Sequence, residues 1–353
     1  MKPWSDLAGQ RGLSLVELMI AMTLGLVLTA AMGYFYLGSR QTYRTLDGLA
    51  RLQESGRYTL DIIARDVRMA GYRGCVGPTV SVIPPCPPVG LCNTLNNATQ
   101  YAWNFGEPIQ GFNDATGGGW PIDGGTAIYT SSVTPVGGTD IITLRGAFGA
   151  GLKIAGQPSD NTCLGTTADL KVTANNELKN DDIVMVTNCT SAAIFQITNF
   201  NSSQNVVHNT GTSNPGNSHK DLGDCFLGGE LIKVSTKTYY IGNNPADRPA
   251  LYRIEGSNPA QELVENVSDM QISYGVDNNS DFAADAYLTA NDVDVANWAQ
   301  VISVHVDLLV SSTEDNIVPQ PQQFTFNGAT FTAPDRRLYK VFSTTIGIRN
   351  RLP

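Results

Sequence analysis

The sequence predicts an α+β protein, a long N-terminal helix, transmembrane and then amphipathic, packed on a large antiparallel β-rich head. Three observations predict it. One apolar run occupies residues 13–37, no proline interrupts the chain between Pro3 and Pro78, and from about residue 139 short β-branched or aromatic runs recur between Gly, Asn, Asp and Pro. A composition of 42% hydrophobic and 16% charged residues, with 35 Gly and 18 Pro in 353, excludes coiled-coil arrays, collagen and highly charged disordered chains.

The apolar run, Leu13 to Leu37, reads LSLVELMIAMTLGLVLTAAMGYFYL, and Glu17 is its only charge. As a helix it would be roughly 37 Å long, enough to cross a hydrocarbon core of about 30 Å with some tilt. It is too long for a cleaved signal peptide and continues into Tyr34, Phe35 and Tyr36. A carboxylate inside such a span costs on the order of 2.5 to 3.5 kcal/mol on insertion scales, so Glu17 calls for a partner.

The helix continues beyond the run. Leu49, Leu52, Gly56, Leu60, Ile63, Val67 and Ala70 recur at spacings of three and four, which makes one apolar stripe. On another face Asp47/Arg51 and Asp61/Arg65 stand four apart as ion pairs. Gly71 and Gly74 mark the end of a helix running from about Leu13 to about Met69, roughly 85 Å long. A free-standing coiled-coil segment is the competing reading of this half.

Past the helix, Cys75 to Asn97 reads as an irregular, Pro-rich loop, and few regular elements are expected before residue 139. Strands follow at Asp140–Leu144, Ile183–Thr187, Ala193–Thr198, Glu230–Ile241, Leu251–Ile254, Met270–Tyr274, Val301–Val310, Phe324–Phe331 and Tyr339–Ile348. Ile302, Val304, Val306, Leu308 and Val310 alternate as one buried face requires.

Charge is split along the chain. Residues 1–73 hold nine Lys/Arg and six Asp/Glu, a net of +3, whereas residues 74–353 hold fourteen and twenty-six, a net of −12. The acidic part is a poor nucleic-acid binder, and no direct nucleic-acid binding is expected. Cys75, Cys86, Cys92, Cys163, Cys189 and Cys225 all follow the apolar run. Their even number without a CxxC points to disulfides in an oxidising compartment, with fifteen pairings open and Cys163–Cys189 the first to test.

No nucleophile elbow, phosphate-binding loop, dinucleotide fingerprint or HExxH motif occurs, so no catalytic residue, metal or cofactor is assigned and the chain is not read as an enzyme. His208, His219 and His305 are scattered and read as surface or satisfied histidines. The loop Asp277-Asn278-Asn279-Ser280-Asp281, with Asp285 beyond, places oxygens at alternate positions as calcium loops do. Phe282 and Leu288 stand where such a loop has Gly and Glu, so a solvated turn is favoured.

The segment Gln10-Arg11-Gly12-Leu13-Ser14-Leu15-Val16-Glu17 resembles the prepilin signal of type IV pilins and type II secretion pseudopilins. The resemblance implies a leader of residues 1–12 held on the cytoplasmic side by Lys2 and Arg11. Prepilin peptidase would cut between Gly12 and Leu13, and Leu13 would be N-methylated although Phe is commoner there. Glu17 would then meet the terminal amine of a neighbouring subunit and set its register during assembly.

Asp66 to Cys75, Ile272 to Asp277 and Ile346 to Asn350 are further similar to PilW-type minor pilins. That family implies a single-pass inner-membrane protein with a transmembrane half at 13–37, an amphipathic half at 38–73 and a periplasmic head at 74–353. It implies partnership with other minor pilins, the major pilin and a large tip adhesin, priming of pilus assembly, and a place at the pilus tip. Twitching motility, adhesion or DNA uptake would depend on it. A J-like minor pseudopilin of type II secretion is the alternative within this class; a membrane-anchored periplasmic binding protein or enzyme is the remote one. Mass spectrometry of the mature chain is expected to find a methylated N-terminus at Leu13, and a retained Met1 would exclude the prepilin class.

Overall fold

The computed structural model describes residues 14–352 except 75, 77–79, 82–85, 87–88, 114–118, 124–125, 157–167, 174–176, 202–203, 212–213 and 294–297. Helix α1, Leu15–Met69, is continuous over 55 residues, about 82 Å. Thr23, Thr29, Thr42, Thr45 and Thr59 turn their hydroxyls back onto carbonyls three or four residues earlier, so these polar groups cost the helix little.

The helix has two environments. From Ser14 to Arg44 every residue is exposed, and Gln41 is the first whose side chain bonds to the head among the described residues. Beyond Thr45 the expected stripe turns inward: Leu52, Gly56, Ile63, Val67 and Ala70 are buried, and Leu49 and Leu60 are half-buried. Thr59, Ala64 and Asp66 are buried as well, which the apolar pattern did not include.

The larger sheet contains β1 (Gly90–Asn93), β2 (Ile109–Phe112), β3 (Ile141–Ala147), β4 (Ile183–Thr187), β5 (Ser191–Gln196), β6 (Glu230–Asn243) and β7 (Pro249–Glu255). Strand β6 organises it. Its first residues pair with β4, as in Leu231↔Val186, and its later ones with β3 (Thr238↔Thr143) and with β7 (Tyr240↔Tyr252).

The chain then forms β8 (Val267–Val276), β9 (Ala286–Leu288), β10 (Val301–Ser311), the hairpin strands β11 (Gln323–Phe326) and β12 (Ala329–Thr332), and β13 (Tyr339–Gly347). The smaller sheet has the order β9-β8-β10-β13, all antiparallel, with Ile272 opposite Val306 and Leu308 opposite Phe342. The alternating face of β10, Val304, Val306, Leu308 and Val310, is fully buried and meets the helix in one core with Ile63, Val67, Met270 and Ile346. A second core, around Phe195, Phe226 and Leu231, lies under β4 and β5.

Two features depart from expectation. Strand β1 lies inside the segment read as irregular, is buried at all four residues, and pairs in parallel with β5 (Leu91↔Ala192). Both its faces are covered and its partner is about a hundred residues away, so no local alternation reveals it. Phe324–Phe331 is two strands rather than one: Asn327 (φ 46°) and Gly328 (φ 73°) make the turn between them, both in the left-handed region a tight hairpin requires.

Cys86 and Cys92 form a disulfide, and Cys189 and Cys225 are each disulfide-bonded. Cys75 and Cys163 lie outside the described residues, and with them the Cys163–Cys189 pairing.

His208 departs from the surface reading too. It is buried against the Phe195 ring, 4.9 Å between centroids, and its Nδ1 has no hydrogen-bond partner. Burial, outweighing the nearby Asp169, lowers its pKa to about 4. The unfolded chain binds this proton near pH 6.5, so between about pH 6.5 and 4 it is the form that gains the proton and the fold weakens as pH drops. The shift corresponds to about 3 kcal/mol across that window. His208→Leu is expected to flatten the dependence of Tm on pH between 6.5 and 4 for the full chain in detergent; an unchanged acid slope would refute this.

Candidate functional site

Gly12 and Leu13, the residues of the expected cut, lie outside the described residues, which begin at Ser14. Ser14 is the N-cap of α1: its Oγ accepts the Glu17 N–H at 3.2 Å, while Glu17 Oε2 accepts the Ser14 N–H at 2.9 Å. This reciprocal box joins two of the orphan amides of a helix start to side chains, with the carboxylate favourably placed at the positive end of the helix dipole. Glu17, the one charge of the apolar run, thus caps its own helix. The Ser-x-x-Glu spacing was a readable signal for this role.

At the other end, a buried ion pair fixes the helix to the head. Asp66, 6% exposed, receives Lys237 Nζ at 3.0 and 3.1 Å and the Tyr239 hydroxyl at 2.5 Å. The ammonium also stands 3.8 Å from the centroid of the Phe148 ring. Burial first, then the Asp66 charge, pushes the Tyr239 hydroxyl far above its ordinary pKa, so it stays a donor. The partners are 171 and 173 residues from Asp66 in sequence, which is why the pair is invisible in the stripe.

Backbone contacts complete the clamp. Gly71 N–H donates to Arg145 O at 2.8 Å, and Asn350 Nδ2 donates to Ala70 O at 3.0 Å, taking up helix-end carbonyl and turn amide groups. Gly146 has to be glycine, because a Cβ there would lie 2.8 Å from Met69 O. Midway, a Cβ on Gly56 would stand 2.3 Å from the Phe342 ring, so this glycine lets β13 close on the helix. Nearest the bare half, Ile317 O accepts from Gln41 Nε2 at 2.7 Å and from Thr45 Oγ1 at 3.2 Å.

The acidic loop is organised as a turn. Asp277 accepts backbone N–H groups from Asn279, Ser280, Asp281 and Phe282 at 2.7 to 3.3 Å, and Asp285 accepts from Asn278. Partial desolvation of Asp277 acts to raise its pKa, but the four amide donors prevail and hold it below the ordinary value. His219 Nδ1 lies 2.9 Å from Asp221 O, and His305 Nδ1 lies 2.8 Å from Thr345 Oγ1. His219 also lies near the sulfurs of Cys86 and Cys92, which are joined in a disulfide and so are not thiolate ligands.

The family model of type IV pilus-assembly protein W matches residues 238–350, and that of the prokaryotic N-terminal methylation motif matches residues 7–33. Together the two matches support a PilW-type type IV pilin. No curated protein and no solved structure matches it.

The methylation match spans Gly12, Leu13 and Glu17 and most of the exposed apolar stretch. The other match begins beside Lys237 and takes in Tyr239, the whole smaller sheet, Phe342 and Asn350. The segment Asp66 to Cys75 falls outside both matches. These hits suggest a structural, non-enzymatic protein and contact with other pilins and the pilus machinery. The motif and the one apolar helix long enough to cross a membrane among the described residues are consistent with inner-membrane anchoring. Asp66→Ala strands the Lys237 ammonium in the interior and is expected to destabilise the head by about 3–5 kcal/mol. Asp66→Leu combined with Lys237→Met should recover most of that loss in thermal melts; a single variant as stable as wild type would refute the clamp.

Proposed function

We propose that this chain is a minor pilin that helps prime type IV pilus assembly and is incorporated at or near the pilus tip. In this reading residues 1–12 are a leader removed by prepilin peptidase, and Leu13 becomes the methylated terminus. Residues 13–37 span the inner membrane, residues 38–73 form the spine under the head, and residues 74–353 are periplasmic before assembly. What supports it is a helix bare from Ser14 to Arg44 that carries Glu17 at its start and is clamped at its far end to a head of about 280 residues. To Leu37 this helix is exposed throughout the described residues, and lipid and neighbouring helices are the two surroundings that suit it.

Glu17 supplies the register. Cleavage at Gly12–Leu13 creates a new ammonium on the residue before the Ser14 cap. An unpaired ammonium and an unpaired carboxylate in a low-dielectric bundle are each costly, whereas a pair between subunits is much less so. Within one chain Glu17 satisfies only its own cap, so the bundle offers it a stronger partner. The head is large for a bulk fibre subunit, which supports a specialised position with other minor pilins, the major pilin below and a tip adhesin above. Twitching motility, adhesion or DNA uptake would follow from that position.

Glu17→Ala is expected to leave membrane insertion intact and to reduce incorporation into sheared pili, measured by quantitative mass spectrometry of the fibre fraction. Wild-type incorporation of this variant would sink the register role. Deletion of the gene is expected to remove surface pili while leaving secretion of folded exoproteins unchanged; the opposite pattern would assign the chain to type II secretion.

A further inference from the structure

A groove of about 400 Å³ runs along the flank of α1 just beyond the apolar run, between the helix and the loop that carries Ile317. Arg40, Tyr43, Arg44 and the Asp47–Arg51 pair line its helix side, and Glu314 lines the side of the loop. Gln41 and Thr45, both bonded to Ile317 O, hold the loop to the helix at this level. Arg51 is committed to Asp47 at 3.0 Å. The guanidinium groups of Arg40 and Arg44 and the carboxylate of Glu314 are exposed and have no protein partner among the described residues.

The depth of the groove decides what fills it. Arg40 follows Leu37, the last residue of the apolar run, by about 4.5 Å along the helix axis, and Arg44 by about 10 Å. The head-group layer on each side of a hydrocarbon core is roughly 5–7 Å thick. Side chains of an α-helix slope toward its N-terminus, which here is the membrane end, so both long arginines come within reach of that layer. Tyr34, Phe35 and Tyr36, all exposed, mark the same boundary from the apolar side. Four residues apart, Arg40 and Arg44 share one face of the helix at a spacing of about 5–6 Å, which suits two guanidinium forks on one phosphate. Glu314 adds a charge of the opposite sign on the facing wall.

We infer that this groove binds the phosphoethanolamine head group of a phospholipid in the periplasmic leaflet of the inner membrane. The phosphate lies between Arg40 and Arg44, the ammonium meets Glu314, and the acyl chains run down beside the exposed apolar half of the helix. A head group carrying both signs fits better than a purely anionic one, because Glu314 repels a second negative charge and gains a partner from an ammonium. The site rests on the reading that residues 13–37 span the membrane. It adds a lipid that the subunit holds in the bilayer and gives up when neighbouring helices take the place of lipid.

In the test, the full chain extracted in detergent is titrated with dioleoyl phosphatidylethanolamine or dioleoyl phosphatidylglycerol, and bound lipid is counted by native mass spectrometry. The ethanolamine lipid is expected to be retained about tenfold better than the glycerol lipid. Arg40→Gln combined with Arg44→Gln should lower its retention about tenfold, and Glu314→Gln should bring the two lipids level. All three residues are exposed, so melts matching wild type are expected for the variants. Inorganic phosphate at the concentration of the lipid should displace little of it, because the chains add apolar contact with the helix. Equal retention of the two lipids by the wild-type chain, retention indifferent to the arginine pair, or displacement by phosphate alone would overturn the proposal. So would a co-purifying pilin that excludes the lipid and is itself lost with the two arginines. Resistance of the chain to alkaline carbonate extraction from membranes is followed in parallel. If it persists while lipid selectivity fails, only the groove is wrong; if carbonate releases the chain, the membrane-spanning reading falls.

Discussion

One helix has to serve two surroundings, and that constraint shapes the rest of the chain. The residues of α1 are exposed from Ser14 to Arg44, and the contacts that hold helix to head begin with Gln41 and Thr45 on Ile317 O and concentrate beyond them. The helix therefore needs internal solutions in its first half and external ones in its second. Internal solutions are visible in the absence of proline, the hydroxyls turned back to the backbone and the Ser14/Glu17 cap. External ones are the glycine contact at Gly56, the buried stripe from Leu52 to Val67 and the Asp66 pair. A proline tolerated in a membrane helix by neighbouring helices would find no such neighbours in this chain alone.

The contacts of the second half are of different kinds, and the difference matters mechanically. The stripe is apolar and its contacts are non-directional, with the glycine at 56 marking where Phe342 closes on the helix. The Asp66 carboxylate cannot slide, because it has one ammonium and one phenol within reach and desolvation penalises any displaced charge. Gly146 and Gly71 fix the end of the helix to β3 within atomic contact. The head is thus tied to one axial position on the helix, and any displacement of the helix end is passed to the sheets as a rigid-body motion.

Much of this was legible in sequence. The period of three and four gave the buried stripe from Leu52 to Ala70, and Gly71 ended it, because packing against a sheet demands that periodicity whatever the partner. Alternation gave β10, whose one face lies on the helix core. What escaped was set by contacts distant in sequence. The pairing of Asp66 entered no sequence pattern because Lys237 and Tyr239 lie more than 170 residues on. Strand β1 hid in a proline-rich segment because its partner is a parallel strand far along the chain. His208 sits among Asn, Thr and Ser, a polar neighbourhood in sequence that says nothing of the Phe195 ring covering it. Two missed signals were local: Asn-Gly between the aromatic runs of Phe324–Phe331 marks a hairpin, and Ser-x-x-Glu at residues 14–17 marks a capping box.

The two ends of the helix carry different chemistry. At its start the one charge of the apolar run is a carboxylate; at its far end the Asp66 pair holds the head. Between them runs a stiff helix of about 80 Å. The stiffness comes from the unbroken backbone and the clamp at Asp66, so the offset between Glu17 and the head is a property of this chain and not of its neighbours. In the proposed assembly role, Glu17 selects the depth at which a subunit enters the bundle.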